Sequence, residues 1–152
     1  MKSRRSGLRK KGWLHYHSLS IVSLAVLALW CVLYARGDPK THLGSFFGNA
    51  IADWTGVVAT VFATKYFYEL GSAESRQPQG QLPSRALEWL RDHSLTIFFV
   101  VTGIPLGILY WRVDPDAKWG QVAGNILSEW TQLLGLILLT KRCIEEKSKE
   151  SR

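Results

Sequence analysis

The sequence predicts an all-α polytopic membrane protein: four transmembrane helices built as two tandem, parallel helical-hairpin repeats. Three observations lead there. Four long runs are almost free of charged side chains, the chain matches itself when shifted by 76 residues, and Lys and Arg gather on one side of the spans.

The runs come first. Residues 18–35 and 94–111 hold no charged side chain, residues 43–64 hold only Asp53, and residues 119–140 hold only Glu129. An apolar helix of about 18–20 residues crosses a hydrocarbon core of roughly 30 Å. Spans are therefore expected at about 18–36, 43–65, 94–111 and 119–140. The overall 47% hydrophobic content resembles a soluble protein, but it averages these runs with polar ends. A soluble domain of this length rarely needs four such helices.

The repeat follows. Residues 13–69 fall on residues 89–145 without a gap and with 19 identities in 57 positions. The identities include Trp13/Trp89, His17/His93, Tyr34/Tyr110, Asp38-Pro39/Asp114-Pro115, Gly48/Gly124, Asn49/Asn125, Trp54/Trp130, Lys65/Lys141 and Glu69/Glu145. Each half carries two spans, so both insert the same way round, related by a pseudo-twofold axis along the membrane normal. The organisation reads as a basic segment 1–12, a first two-helix repeat 13–70, a polar linker 71–88, a second repeat 89–145 and a charged tail 146–152.

Within each half, Asp38-Pro39 and Asp114-Pro115 are helix-start signals, a side-chain cap followed by a residue that needs no N–H there. A second helix starting at Pro39 and running to Lys65 would be roughly 40 Å long and would tilt or protrude. In the linker, Ser84 can cap a short amphipathic turn, RALEWLRD, that sets Trp89 at the interface. Pro105 is expected to kink the third span.

Of the 19 Lys and Arg, six precede the first span, four lie from Lys65 to Arg91, and five follow the fourth span. Only Arg36, Lys40, Arg112 and Lys118 stand at the two short hairpins. The positive-inside rule then places both termini and the linker in the cytoplasm. The same charges can meet anionic lipid headgroups. Nucleic acid is not an expected partner, because no groove-reading helix or aromatic platform accompanies them. The first span reads as uncleaved rather than as a signal peptide, since residues 93–112 repeat its pattern mid-chain. Cys31 and Cys143 belong at different depths, beyond disulfide reach.

The phrase GNAIADWTG, residues 48–56, returns as GNILSEWTQ, residues 124–132. Asp53 lies about 15 Å along the helix from Leu43, and Glu129 occupies the same depth. An ionised side chain there costs at least about 2.5–3.5 kcal/mol on insertion scales, so it must face protein or water. Ser45, Asn49, Asp53, Gly56 and Thr60 recur at helical spacing, and Gln121, Asn125, Glu129 and Gln132 form the mate. Each half should add one polar stripe to a shared interior. The candidate site is therefore Asn49, Asp53, Asn125, Glu129 and Gln132. Gly44-x-x-x-Gly48, Gly103-x-x-x-Gly107 and Gly120-x-x-x-Gly124 permit close helix approach.

Such a stripe supports three readings: hydrogen bonds that hold helices together, docking of a partner, or handling of a proton or cation. The leading expectation is a structural or partner-binding membrane protein. The alternative is a small cation- or proton-conducting unit using Asp53 and Glu129, working as an oligomer of this chain. His17 and His93 read as interface residues rather than metal ligands, and no metal or cofactor is expected. No catalytic residue is expected either: the sequence has no Walker loop, G-x-S-x-G elbow, H-E-x-x-H or paired C-x-x-C.

The segments HSLS (17–20), GSAESR (71–76) and SEWTQ (128–132) resemble a family of uncharacterised bacterial four-helix membrane proteins. That family has a two-hairpin plan, an S-E-F-L-Q-like phrase in its second and fourth helices, and G-S-A-E-S-K/R after the second. The resemblance implies the fold and a bacterial inner-membrane location, and it implies no activity. Glu129 and Gln132 match its acidic and amide positions, Asp53 less closely. The outer loops are much shorter here.

The topology has a direct check. Cysteine placed at Lys40 or Lys118, in a background lacking Cys31 and Cys143, should react with an impermeant thiol reagent outside intact cells. Cysteine at Gln79 should stay unlabelled; labelling at Gln79 alone would invert the orientation.

Overall fold

The computed structural model describes residues 16–80 and 82–143. The basic segment 1–12, Trp13, Glu145 and the charged tail 146–152 lie outside the described residues. Those described form five helices and no strand: α1 Ser18–Arg36, α2 His42–Tyr66, α3 Arg85–Asp92, α4 Ser94–Arg112 and α5 Lys118–Leu139. Four of them, α1, α2, α4 and α5, are long and apolar enough to cross a membrane. Their bounds agree with the expected spans to within a residue or two. The short α3 begins where expected, with the Ser84 hydroxyl accepting from Leu87 N at 3.3 Å.

The long helices pack in the order α1–α2–α5–α4, with α4 also touching α2. The central pair, α2 and α5, runs parallel. Near their starts Asn125 donates to Asn49, and near their ends Ala63 and Ile137 share one apolar cluster. Two apolar clusters fix this order. Tyr34, Ile51 and Val122 join α1, α2 and α5 at the end carrying the hairpin turns. Ala63, Leu95, Phe99 and Ile137 join α2, α4 and α5 at the opposite end, where the linker runs.

The Asp-Pro pairs, expected as helix starts, lie in the turns before the helices. Asp38 does not cap α2; its carboxylate accepts from Lys40 N at 2.9 Å and its carbonyl from the Thr41 hydroxyl at 2.8 Å. Thr41 is the cap, accepting from Gly44 N at 3.0 Å, and α2 begins at His42. In the second half Asp114 accepts from Asp116 N at 2.9 Å, and α5 begins at Lys118. A short acidic side chain turns back on its own backbone as readily as it caps, and Pro suits the turn that results. Starting at His42, α2 has 25 residues, about 37 Å. Pro105 sits inside α4, which continues as one helix from Ser94 to Arg112.

The glycine motifs divide between turns and close helix approach. A Cβ on Gly44 or Gly120 would run into the carbonyl of Asp38 or Asp114, so these two serve the hairpin turns. A Cβ on Gly48 would lie 3.1 Å from the Tyr34 ring, and one on Gly124 would lie 3.0 Å from the Tyr110 ring. These glycines seat the first helix of their own hairpin. They do not bring the two polar stripes together.

Despite matching sequence, the two tyrosines have unequal roles. Tyr34 is 1% exposed and its hydroxyl donates to Lys118 O at 2.5 Å, while Tyr110 is 39% exposed. Lys118 Nζ returns the contact, donating to Ala35 O at 3.1 Å and to Gly37 O at 2.6 Å. The first hairpin is thereby tied to the start of α5.

Gly48→Leu should cost about 1–3 kcal/mol, because the Tyr34 ring has no room to retreat. Gly107→Ala meets open space and should be neutral or gain up to about 1 kcal/mol in helix propensity. Unfolding of the two variants side by side in detergent checks both signs.

Candidate functional site

All five candidate residues line one cleft between α2 and α5. Asn49, Ala52 and Asp53 form one wall, and Asn125, Ser128, Glu129 and Gln132 the other, around about 170 Å³. Asn125 Nδ2 donates to Asn49 Oδ1 at 2.6 Å, and Gln132 Nε2 donates to Ser128 Oγ at 3.4 Å. The bulk across the seam is complementary. Long Glu129 lies against Gly56, where a Cβ would fall 2.6 Å from Glu129 Cγ, while short Asp53 shares its cleft with long Gln132.

One expectation needs correcting. The stripes do not make a closed interior. Asn49, Asp53, Ser128 and Gln132 are exposed, Asn125 and Glu129 only half-buried. The reason is packing: α1 and α4 take the apolar flanks of α2 and α5, and no described element covers this polar side. Chemically the cleft offers carboxylate, amide and hydroxyl oxygens together, a set suited to hydrogen-bonded partners or hard cations.

A second polar centre lies at the linker end, on a residue the sequence reading noted only as a repeat identity. Glu69 is fully buried. Its Oε1 accepts from Lys141 Nζ at 2.5 Å and lies 2.8 Å from His93 Nδ1, and its Oε2 accepts from Thr96 N at 3.1 Å. The chain around it is pinned to the start of α4: Leu95 N donates to Tyr68 O at 3.0 Å and Leu70 N to Asp92 O at 2.7 Å. Helix α4 has no side-chain cap from its own N-cap, His93. Glu69 supplies one from another part of the chain, placing negative charge where first-turn N–H groups need an acceptor.

The GSAESR segment holds Glu69 in place. Ser75 Oγ accepts from Glu69 N at 2.9 Å, and the Ser72 and Thr140 hydroxyls meet at 3.0 Å. Ser72 and Ser75 are both buried. The start of the expected linker is therefore docked structure. His93, read from the sequence as an interface residue, faces a carboxylate. The signal was present in the sequence: His93, Lys141 and Glu69 are each duplicated 76 residues away, and duplicated polar residues outside the apolar runs need a reason. Their mates His17 and Lys65 also meet, at 3.3 Å. Among the described residues no group of three or more His, Cys, Asp and Glu is placed to hold a metal ion.

Fold and sites together define a helical protein with four helices long and apolar enough to cross a membrane, and with two polar centres between them. No protein-family model matches the chain, and no curated protein or solved structure matches it.

Burial raises the Glu69 pKa, but hydrogen bonds from Lys141, His93 and Thr96 outweigh it and hold the carboxyl below its ordinary value. A group more acidic when folded contributes its stability above the unfolded value, about 4.3. That stability is lost as pH falls through the folded-state value. Melting temperature should therefore fall on acidification below about pH 4. Glu69→Gln should lose about 1.5–3 kcal/mol at neutral pH and show a shallower acid-side decline.

Proposed function

We propose that this chain is a multi-pass protein of a bacterial inner membrane that works by binding a partner through the α2–α5 cleft, and that the partner is a second copy. The observation that carries this reading is the exposure of Asp53 and its amide and hydroxyl neighbours at mid-length on two apolar helices. In a bilayer such a face is costly against lipid and has to be covered. The cleft holds both amide donors and carboxylate acceptors, so it suits an isologous interface in which the same residues face one another across a twofold axis.

The halves 13–69 and 89–145 are read as tandem repeats about an axis between α2 and α5. Supporting this, Asn49 bonds its own repeat-mate, Asn125. The Lys and Arg distribution supports cytoplasmic termini and linker. The bacterial membrane rests on the resemblance of residues 17–20, 71–76 and 128–132.

A second reading draws on one observation, that Asp53 and Glu129 share a single cleft. Two copies would enclose four carboxylates, a path for protons or a cation.

Cysteine at Gln132, with the native thiols removed, should crosslink between copies in membranes under mild oxidation. Cysteine at Val101, exposed on α4, should not. A chain that stays monomeric with cysteine at Gln132 or Ser128 sinks the self-association reading. Asp53→Asn with Glu129→Gln preserves size and hydrogen bonding, so an interface should tolerate it. Proteoliposome flux that disappears in that variant, with an unchanged melting temperature, would replace partner binding with conduction.

A further inference from the structure

At the linker end, the first turn of α1, the last turns of α2, the 67–78 segment and the start of α4 enclose a groove of about 800 Å³. That lies within the range of small-molecule sites, roughly 300–1,000 Å³. Lys65, Arg76 and Arg91 line it, against one carboxylate, Glu74. Arg91 is partly committed, to Asp92 at 3.0 Å and to Gly80 O at 2.7 Å. Lys65 approaches His17 Nδ1 at 3.3 Å and lies over the Tyr66 ring at 5.1 Å. Arg76 is exposed. The positive excess is not neutralised within the groove.

One further feature belongs with this charge. The wall is graded in polarity. Val61, one helical turn from Lys65 on the same face of α2, and Leu19, 65% exposed on α1, line the part adjoining the apolar helices.

From this pattern we infer that the groove is a specific site for an anionic phospholipid. The phosphate sits among Lys65, Arg76 and Arg91, and the upper acyl chain lies along Leu19 and Val61. A free phosphate would leave the apolar wall unused. The chain's own residues 1–12 hold six basic and no acidic side chains, so they match the groove in sign and do not complement it. The inference rests on the membrane reading above, and it adds a headgroup preference and a position.

Native mass spectrometry of the full chain in neutral detergent, titrated with phosphatidylglycerol, phosphatidylcholine or glycerol 3-phosphate, tests it. Phosphatidylglycerol should be retained at about tenfold lower concentration than phosphatidylcholine, and excess glycerol 3-phosphate should not displace it. Each of Lys65→Gln and Arg76→Gln should weaken retention about fivefold. Arg36→Gln with Arg112→Gln, at the opposite end, should leave it unchanged. Equal retention of the two lipids, or a preference surviving Lys65→Gln with Arg76→Gln, overturns the site. Full displacement by glycerol 3-phosphate also overturns it, in favour of a soluble anion. If a variant fails to fold, the wild-type comparison of lipids still decides. Alkaline extraction separates the two levels: a chain that washes out of membranes overturns both readings, whereas one retained but indifferent to headgroup overturns only this one.

Discussion

On α2 and α5 the same helix has to satisfy two incompatible neighbours. One face of α2 carries Gly48 and Ile51 and receives α1; another carries Asn49 and Asp53 and turns toward α5. A carboxylate on an otherwise apolar helix needs polar company, and the company available at its level along the helix is the stripe on α5. The Asn49–Asn125 bond is where the two stripes meet. With α2 and α5 paired that way, α1 and α4 are left the flanks, and the packing order follows.

The pairing leaves each end of the structure with a different problem. At the hairpin end, Tyr34 closes the gap by reaching Lys118, while its counterpart Tyr110 stays open. At the linker end, α4 starts without a side-chain cap of its own, and Glu69 reaches it from beyond α2. Both ties run from the first half to the second. Two similar hairpins thus become one unit through contacts that break their equivalence. Burying Glu69 is tolerable because three hydrogen bonds converge on its two oxygens; an uncompensated carboxylate there would be severely destabilising.

The two polar centres differ in kind. Glu69 is fully buried and fully partnered, so its chemistry is satisfied within the chain. The α2–α5 cleft is open, with exposed donors and acceptors. Satisfied polar groups lend rigidity, and open ones can recognise something else. For this reason the cleft and the basic groove, rather than the Glu69 centre, are assigned the binding roles.

The sequence by itself determined the number and bounds of the long helices, and set Asn49, Asp53, Asn125, Glu129 and Gln132 at helical spacing. These depend on the polarity of neighbouring side chains along one strip of chain, and such patterns are local. The placement of Asp38 in a turn and Thr41 at the cap was less legible, since both residue types can do either job. Only the tertiary structure decided that the polar seam is open on one side, that Tyr34 and Tyr110 part company, and that Glu69 caps a helix 25 residues further on. Each of those outcomes depends on what a neighbouring helix brings to the same place. A carboxylate followed by a Ser-rich segment reads as linker until the start of α4, with His93 and Thr96 beside it and Lys141 arriving from α5, is packed against it.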